Sequence, residues 1–393
     1  MRDEFKEFFE VHCPGKDPRV LSRLSRHLAL QGWGMRLQSI LDSKRILVIG
    51  AGGLGCSICL QLCGCVFENA GISVLDYDTV DETNLHRQIA FTEADIGRPK
   101  VDALVAICRQ RNRWCKIDAI RGSFNETNAM TFFESFDVIL DCTDNFNTRV
   151  LISDAWIRTS KTKLVVSASC VGWYGQLVTL SPGTTFCLRC VYGNPVNSKG
   201  CDRLGQCALQ GVMGPVVGVV ANLQLLAFIN YLKNPHASNQ LQLLDFSGPS
   251  MVSRMMTLEQ SCDSCLGRSE LVSSDPVLSD SGDDSRIEIN ASQFLTLLRG
   301  DDVRVVDVRE KSHYDCSRIR SSVNFCASEY LHSGVDLRDV QEIANILSSK
   351  TTVVVCRRGI DSLSFTERVL SVWPDVKIVS LKGGLTGLGV DII

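Results

Sequence analysis

Short apolar runs alternate with longer stretches of mixed polarity along most of this chain. Arg45 to Gly50 and Ile72 to Asp76 are short runs typical of strands, and Cys56 to Ala70 between them is typical of a helix. A strand, a helix and a strand within about thirty residues predict a parallel pair joined by a right-handed crossover. Further strands predicted at Asp137 to Asp141 and Leu164 to Ser169 extend the α/β pattern.

The pattern changes over residues 268–285, where serine and aspartate dominate and the apolar periodicity stops. Beyond this segment, Val303 to Val308 and Thr351 to Val355 are valine-rich runs typical of strands, and they alternate with helical segments. The chain has 393 residues, which is enough for two or three packed domains. We therefore predict an α/β domain over residues 1–267, a flexible linker over 268–285 and a small second α/β domain over 286–393.

One uncharged stretch, Leu204 to Leu232, is long enough to cross a bilayer. Glutamine and asparagine are scattered through it and Pro215 interrupts it, so a buried core helix is the preferred interpretation and no membrane partner is expected. The first ten residues have no apolar core of the signal-peptide type. We therefore expect a cytosolic protein whose 18 cysteines serve as thiols, metal ligands and nucleophiles rather than as disulfides.

The overall charge gives no reason to expect a nucleic acid partner. The formal net charge is only -3, so any basic surface must be local. The basic run from Arg109 to Arg113 is more often a solvated helix end than an RNA contact. Direct nucleic acid binding is not expected.

A glycine-rich turn follows the first predicted strand, with the sequence Gly50-Ala51-Gly52-Gly53-Leu54-Gly55. Such a turn lets the backbone approach phosphate groups, whose charge the N-terminus of the next helix stabilises. Asp76, at the end of the second predicted strand, can accept hydrogen bonds from a ribose. On these residues alone, a nicotinamide-dependent oxidoreductase is the preferred interpretation.

Further positions reverse that preference: the pentapeptide Asn84-Leu85-His86-Arg87-Gln88, Lys100, and the pair Asp144-Asn145. When a carboxylate attacks the α-phosphate of ATP, cations must stabilise the triphosphate and a carboxylate must hold magnesium. Arg87, Lys100 and Asp144 have these side-chain types. Each has an ordinary alternative, because single cations are usually solvated and Asp144-Asn145 could simply cap a helix.

These motifs together resemble the ubiquitin-activating type of adenylyltransferase, in the branch of the molybdopterin-synthase adenylating proteins and their eukaryotic sulfurtransferase relatives. The resemblance covers roughly residues 20 to 265. It implies a Rossmann-like domain, ATP, Mg²⁺ and a homodimer in which Arg87 and Arg26 reach into the partner's ATP site; His27 stands where the family commonly has glutamine. The ATP-binding residues that it implies are Gly53, Asp76, Thr83, Asn84, Leu85, His86, Arg87, Lys100, Asp144 and Asn145.

Two Cys-x-x-Cys pairs, Cys187 with Cys190 and Cys262 with Cys265, are a second strong signal. Four thiolates satisfy tetrahedral zinc and leave no position for water, so the site is expected to be structural, with one Zn²⁺ per chain. A redox dithiol would explain one pair but not both.

Cys207 is a candidate acyl acceptor. In the family that the chain resembles, a cysteine at this position can form a thioester or an acyl disulfide with the C-terminus of the substrate. Cys207 keeps the family's spacing to Gly211-Val212, and Cys201 is its rival. An ordinary buried or loop thiol is the alternative for either residue.

Cys356 directly follows the strand Thr351 to Val355 and opens a Cys-Arg-Arg-Gly loop before a helical segment. The loop resembles that of a rhodanese, in which backbone N–H groups and a helix N-terminus stabilise a persulfide anion, here aided by Arg357 and Arg358. The resemblance spans about residues 286 to 390. Its landmarks are Val305 to Glu310 and Leu381 to Gly384, and its departures are His313-Tyr314, Ser317 to Ile319 and Asp361-Ser362. A structural thiol at a strand end is the alternative.

The two domains together imply a function. The first adenylates the C-terminal glycine of a ubiquitin-like sulfur carrier; the second carries a persulfide from a cysteine desulfurase or sulfurtransferase and converts the acyl group to a thiocarboxylate. The implied carriers are the ubiquitin-related modifier and the small subunit of molybdopterin synthase, for tRNA wobble-uridine 2-thiolation and molybdenum cofactor biosynthesis. The alternatives are the oxidoreductase, a non-catalytic scaffold, and activation of a carrier for protein conjugation only.

Overall fold

The structure is a computed structural model that comprises two compact units, Met1–Ser273 and Ser274–Ile393, which are described separately. The residues that it describes are 18–67, 69–192, 211–235, 241–256, 258, 262, 265, 287–300, 303–327, 330, 337–347, 351–357 and 359–388. The predicted linker lies outside the described residues, so its flexibility stays a prediction.

The first unit is built on an eight-stranded sheet with the strand order β3-β2-β1-β4-β5-β6-β7-β8. The five strands from β3 to β5 are parallel, and β6 to β8 extend the sheet antiparallel. The strands are β1 Arg45–Ile49, β2 Gly71–Asp76, β3 Lys116–Arg121, β4 Val138–Asp141, β5 Leu164–Val171, β6 Tyr174–Leu180, β7 Leu241–Asp245 and β8 Val252–Met256.

Helices cover both faces of this sheet, as the α/β pattern of the sequence predicts. They are α1 Pro18–Arg23, α2 Ser25–Leu28, α3 Gly34–Asp42, α4 Gly53–Cys65, α5 Lys100–Arg111, α6 Glu126–Ser135, α7 Phe146–Arg158, α8 Leu188–Tyr192 and α9 Gly214–Lys233. Buried residues of α4, α5 and α9 form one core with one face of the central strands. Residues of α6, α7 and α8 form a second core on the opposite face, with Phe133 and Trp156 among its largest side chains.

The helix predicted as far as Ala70 ends at Cys65. Val66 has an extended backbone, with φ of -103° and ψ of 156°. The side-chain amide of Asn112 donates to the Cys63 carbonyl at 2.7 Å, and so satisfies one of the carbonyls that the end of a helix leaves unpaired. The apolar composition beyond Cys65 therefore belongs to a buried connection and not to a further helical turn.

Helix α9 is long and apolar enough to cross a membrane by length and composition alone, and it is the single helix of that kind among the described residues. In the structure it packs against α4, β5 and β6. Its Gln224 is fully buried and donates from Nε2 to the carbonyls of Asp141 and Val166, at 2.8 Å each. The helix thus occupies the interior position that the sequence interpretation preferred.

The second unit has a five-stranded parallel sheet with the order β11-β10-β12-β13-β9. Its strands are β9 Glu288–Ile289, β10 Val303–Asp307, β11 Val323–Asn324, β12 Thr351–Val355 and β13 Ile378–Leu381. Its α-helices are α10 Ala291–Leu298, α11 Lys311–Cys316, α12 Gln341–Ile346 and α13 Ile360–Val372. The valines of β10 and β12 are divided between two buried clusters, because this sheet is covered on both faces.

We expect Gln224→Leu to lower the free energy of unfolding of the first unit by about 2 kcal/mol, because two buried carbonyls lose their amide donor. Urea unfolding followed by tryptophan fluorescence measures the loss. Asn222→Ala is the matched control: Asn222 lies two residues away on α9, is exposed, and donates only to the Gly218 carbonyl. A loss no larger in Gln224→Leu than in this control would show that the amide does not join the helix to the sheet.

Candidate active sites and candidate metal centre

The turn between β1 and α4 can be formed only by glycine at two positions. Gly50 has φ of +99°, and a β-carbon there would lie 2.8 Å from the Cys142 carbonyl oxygen. A β-carbon on Gly55 would lie 1.9 Å from the Gly50 carbonyl oxygen. The turn therefore brings the first N–H groups of α4, which have no partner within the helix, to the carboxyl edge of the sheet, where a phosphate can accept from them.

Asp76, at the end of β2, holds this turn in place. Its Oδ2 accepts from the Ala51 N–H at 2.6 Å and its Oδ1 from the Asp78 N–H at 2.8 Å. The expected hydrogen bond to a ribose hydroxyl stays a prediction, and a carboxylate has lone pairs left for it. The structure adds a role that the sequence did not indicate, which is to fix the backbone of the glycine turn.

Lys100 is the first residue of α5, and its buried Nζ lies 2.8 Å from Asp78 Oδ2. The sequence did not reveal the role of Asp78. Asp78 follows the end of β2 and Lys100 begins α5, and no local sequence pattern links two such distant residues. The ion pair compensates the burial of the ammonium and holds it at the edge where β2 ends. A phosphate bound by Lys100 would share this ammonium with Asp78.

Tyr77 marks where the charged residues come together. The pKa of Tyr77 is raised above its ordinary value by the negative charge of Asp78, then by partial burial, and further by Asp144 and Asp76, while Lys100 lowers it. Strand β1 lies between β2 and β4, and all three are parallel, so their carboxyl ends share one edge of the sheet. The ends of β2 and β4 therefore bring the predicted magnesium ligand and the predicted phosphate ligand to one place.

Asp144 and Asn145 differ in role although they are adjacent. Asn145 is the N-cap of α7 and accepts from the Thr148 N–H at 2.8 Å, so the capping alternative is correct for this residue. Asp144 is exposed, and the described part of the chain offers it no hydrogen bond or ion pair. Its carboxylate is available for a cation.

The pentapeptide holds Arg87 against the glycine turn of its own chain. A β-carbon on Gly53 would lie 3.3 Å from the Arg87 carbonyl oxygen and 3.5 Å from its Cγ. The guanidinium donates to the Thr83 carbonyl at 3.1 Å and to Asn84 Oδ1 at 3.3 Å. These contacts place Arg87 beside the glycine turn of its own chain, and the expectation that it serves the partner's ATP stays a prediction.

The other pentapeptide residues and Thr83 build this local structure. Thr83 donates its N–H to Asp81 Oδ1 at 2.8 Å, in a 3₁₀ turn over Glu82–Asn84. Asn84 Oδ1 also accepts from Gln88 Nε2 at 2.7 Å. Leu85 is half-buried and packs on the first core, whereas His86 is exposed, with its Nε2 3.3 Å from the Arg87 guanidinium.

Arg26 lies on the short helix α2, where its side chain is exposed. Within the described residues it makes no ion pair with an acidic residue, and no contact joins it to the glycine turn of its own chain. The expectation that it serves a partner's ATP site stays a prediction.

A buried polar network lies beneath the Asp144 loop, and sequence reasoning missed it. Asp141 accepts from the Thr143 hydroxyl at 2.7 Å and from the Ser167 hydroxyl at 2.6 Å. Arg149 Nε lies 3.8 Å from Asp141 Oδ2, and its guanidinium also donates to the Thr143 carbonyl. The only signal in the sequence was a set of polar residues at strand ends and inside helices, which does not reveal their pairing.

The four predicted metal ligands form one cluster. The sulfur atoms of Cys187, Cys190, Cys262 and Cys265 all lie within 4.8 Å of one another. The Cys187 sulfur is 3.5 Å from that of Cys262 and 3.9 Å from that of Cys190. Tetrahedral zinc with Zn–S bonds of about 2.3 Å separates its sulfur ligands by about 3.8 Å, so the cluster fits such an ion.

The cluster is tied to α7 by its neighbours. Arg189, between the first two cysteines, donates to both carboxylate oxygens of Asp154, at 2.8 and 2.7 Å. The pKa of Cys262 is lowered to about 7, chiefly by a hydrogen bond from the Cys187 thiol, which favours the thiolate that a metal ion binds. The cluster can therefore hold a metal ion that joins α8 to Cys262 and Cys265.

Cys207 and Cys201 both lie outside the described residues, so the acyl-acceptor role stays a prediction for either. The next described residue is Gly211. Its carbonyl accepts from the N–H of Gly172, in the turn between β5 and β6, at 3.0 Å.

Cys356 directly follows β12, and its buried sulfur accepts from the Gly359 N–H at 3.1 Å. Gly359 has φ of +91°, and a β-carbon on it would lie 2.8 Å from the Gly383 nitrogen. The Leu385 N–H donates to the Cys356 carbonyl at 2.9 Å. The cysteine loop therefore packs against the landmark Leu381 to Gly384. Arg358 lies outside the described residues.

The other landmark is structural. Arg309 is buried and pairs with Asp307, with Nη2 2.7 Å from Oδ2, and it also donates to the Ser317 carbonyl. Asn324 Nδ2 donates to the carbonyls of Asp307 and Arg309, at 3.0 and 2.8 Å. This network fixes the segment that follows β10. Strand β10 pairs with β12, the strand that Cys356 follows.

The chain matches two known families. The model of the ThiF family matches residues 24–267, and that of the rhodanese-like domain matches residues 290–389. Three similar proteins are each named adenylyltransferase and sulfurtransferase MOCS3. That of Anopheles gambiae is 31% identical over 91% of this chain and 83% of its own length; that of Arabidopsis thaliana is 30% identical over 88% and 79%; that of Dictyostelium discoideum is 28% identical over 94% and 95%.

Solved structures with a similar fold include MccB of E. coli with ATP, with a TM-score of 0.51 and 20% identity, covering 64% of this chain and 75% of that one. The complex of MccB with AMPCPP and the peptide MccA gives 0.52 over the same shares of the two chains. At this identity the likeness concerns the fold alone.

We expect the purified protein to contain one metal ion per chain, bound by the cysteine cluster. Elemental analysis measures the ion, and removing it with a chelator should lower the melting temperature. Cys187→Ser should lose the ion, whereas Cys65→Ser, on α4 and outside the cluster, should retain it. A full metal content in Cys187→Ser would contradict the assignment.

Proposed function

The chain belongs to the ThiF family and carries a rhodanese-like domain, as do the adenylyltransferase and sulfurtransferase proteins that it resembles, and we propose the following function for it. The first domain adenylates the C-terminal glycine carboxylate of a ubiquitin-like sulfur carrier. The second transfers persulfide sulfur to the activated carboxylate and produces a thiocarboxylate. The observation that supports the proposal is that the glycine turn, Lys100 and Asp144 follow neighbouring parallel strands at one edge of the sheet, while the Cys356 sulfur accepts from the Gly359 N–H.

ATP is the first substrate. The helix N-terminus after Gly53 and the cations Arg87 and Lys100 would bind its phosphates, and Asp76 its ribose. Asp144 would hold Mg²⁺, which draws charge from the phosphate oxygens when it is bound. A carboxylate oxygen of the carrier attacks the α-phosphorus, and pyrophosphate leaves. Its departing negative charge is stabilised by Lys100, whose ammonium Asp78 holds in position.

The sulfur step uses Cys356. Its persulfide attacks the carbonyl carbon of the acyl-adenylate, AMP leaves, and an acyl disulfide joins the carrier to Cys356. A second thiol then attacks the Cys356 sulfur, so that the carrier leaves as a thiocarboxylate and a cysteine disulfide remains, which a cellular thiol reduces. We propose Cys207 for this second thiol, with Cys201 as its rival.

The finer assignments follow from the same proposal. The cysteine cluster would hold one structural zinc ion, since all four of its ligands are thiols and none is left for water. The carriers would be the ubiquitin-related modifier and the small subunit of molybdopterin synthase, serving tRNA wobble-uridine 2-thiolation and molybdenum cofactor biosynthesis. The persulfide would come from a cysteine desulfurase or sulfurtransferase. The protein would act in the cytosol as a homodimer, without direct contact to nucleic acid or membrane.

Two alternatives are less well supported. A nicotinamide-dependent oxidoreductase would leave the buried Lys100 ion pair and the cysteine cluster without a role. The match to the ThiF family also argues against this alternative. Activation for protein conjugation only would leave the Cys356 loop without a role, although its glycines are folded around the sulfur.

Asp144→Ala and Cys356→Ala should separate the two half-reactions. We expect Asp144→Ala to lower carrier-dependent ATP–pyrophosphate exchange by at least about a hundredfold, because a group that stabilises the transition-state charge is lost. Cys356→Ala should leave this exchange unchanged and abolish the mass gain of the carrier that marks a thiocarboxylate. Asp118→Ala, an exposed aspartate in a surface ion pair, is the control for both. Exchange at the wild-type rate in Asp144→Ala would contradict the magnesium assignment.

Subunit mixing tests whether Arg26 acts across a dimer. Arg26→Ala and Asp144→Ala should each be inactive alone, because each site then lacks one required group. In mixed dimers one of the two sites combines an intact Asp144 with the partner's intact Arg26. Random mixing should therefore restore about a quarter of the wild-type exchange activity. If Arg26 served its own chain, the mixture would stay inactive.

A further inference from the structure

The sulfur of Cys356 has a side-chain neighbour whose role the proposed function leaves open. Its Sγ lies 3.4 Å from the Ser362 hydroxyl, to which the thiol donates, and 3.1 Å from the Gly359 N–H, from which it accepts. Ser362 is fully buried in the first turns of α13. The following inference rests on the proposed role of Cys356 as the sulfur-carrying residue.

Ser362 belongs to a short chain of hydroxyl groups. Its Oγ accepts from the Ser380 hydroxyl at 2.9 Å and donates to the Gly359 carbonyl at 3.1 Å. Ser380 is also fully buried, on β13. The three residues Cys356, Ser362 and Ser380 come from a loop, a helix and a strand, so local backbone geometry does not require their contact.

The bonds around Ser362 are complete when Cys356 is a neutral thiol. A serine hydroxyl has one proton and two lone pairs. Both lone pairs accept, one from the Cys356 thiol and one from Ser380, and the proton goes to the Gly359 carbonyl. In this arrangement the Ser362 hydroxyl donates to the Gly359 carbonyl and not to the sulfur.

A sulfur anion requires a different arrangement. A thiolate or persulfide anion no longer donates, and Ser362 can supply the missing donor by rotating its O–H from the Gly359 carbonyl to the sulfur. Ser380 continues to donate to the Ser362 oxygen and so keeps it in place during the rotation. Hydrogen bonds to a charged group are about twice as strong as those between neutral groups, so the rotation favours the anion.

We infer that Ser362 is a catalytic residue that donates a hydrogen bond to the anionic sulfur on Cys356, and that Ser380 is the positioning residue that holds it. The sulfur-loading step balances with a persulfide donor: the bond between the donor's two sulfurs breaks and a bond from Cys356 Sγ to the outer sulfur forms. The Cys356 proton passes to the donor's leaving thiolate, so no net oxidation occurs. Ser362 stabilises the Cys356 thiolate that attacks the donor, without taking the proton.

The test is the pH dependence of Cys356 alkylation by iodoacetamide, a small reagent that reacts with the thiolate. Mass spectrometry of the Cys356 peptide separates this thiol from the other cysteines. In Ser362→Ala we expect the alkylation rate at pH 7 to fall about tenfold and the midpoint of the rate curve to move to higher pH. Ser380→Ala should shift the curve in the same direction by a smaller amount.

Ser364→Ala is the matched control, because Ser364 lies on the same helix and is exposed. Its curve should coincide with that of the wild type. Thermal unfolding of each variant shows whether the second unit is folded, and Ser380→Cys serves if Ser380→Ala is not, since its weaker donor should also shift the curve. Curves of Ser362→Ala and the Ser380 variant that coincide with the wild-type curve would overturn the inference.

The inference and the proposed function fail in different ways. Wild-type protein that forms no thiocarboxylate on any carrier ending in Gly-Gly would remove the proposed function, whatever the alkylation curves show. With thiocarboxylate formed by the wild type, Ser362→Ala should slow its formation while pyrophosphate exchange stays unchanged. An unchanged rate of thiocarboxylate formation in Ser362→Ala would remove only the inference.

Discussion

The buried carboxylate of Asp141 is the constraint on which the candidate nucleotide site depends. A buried charge is costly unless hydrogen bonds and an opposite charge compensate it. Asp141 obtains them from the Thr143 backbone and hydroxyl, from Ser167 on the next strand, and from the guanidinium of Arg149. Because all of these must be satisfied together, the chain leaves β4 in one direction only. Asp144 is thereby placed on the surface next to the glycine turn, with its carboxylate available.

Helix α7 connects this loop to the candidate metal centre. The helix begins at its Asn145 cap, directs Arg149 into the buried network, and near its end presents Asp154 to Arg189 of the cysteine cluster. A metal ion in the cluster would hold α8 and, through Arg189, the second half of α7. Its structural contribution would therefore extend to the segment that positions Asp144.

The sequence predicted the helices, the strands and the motif residues better than it predicted which distant residues contact each other. Periodicity found the strand, turn and helix around Gly50, the loop after β12, and both Cys-x-x-Cys pairs, because each of these is a local pattern. It missed Asp78 with Lys100 and Gln224 with Asp141, whose members are distant in the sequence and ordinary in type. It extended α4 to Ala70, since burial continues beyond Cys65 in a connection that Asn112 stabilises from another element. It also did not reveal that the Arg87 backbone packs against Gly53 of the glycine turn, because a resemblance gives a residue's role without its contacts.

Both candidate sites use the carboxyl end of a parallel strand that leads into a helix, and they differ in how they treat negative charge. In the first domain the carboxylate of Asp144 is exposed, and the buried groups beneath it shape the loop that carries it. In the second domain the reacting sulfur is itself buried, so water cannot stabilise its anion and the protein must supply the donors. The Gly359 N–H is one fixed donor, and a hydroxyl that can turn between a carbonyl and the sulfur is a second one, available only when the charge is present. The burial of Cys356 and the hydroxyl groups behind it are therefore parts of one solution, since a buried anion is costly unless hydrogen-bond donors compensate it.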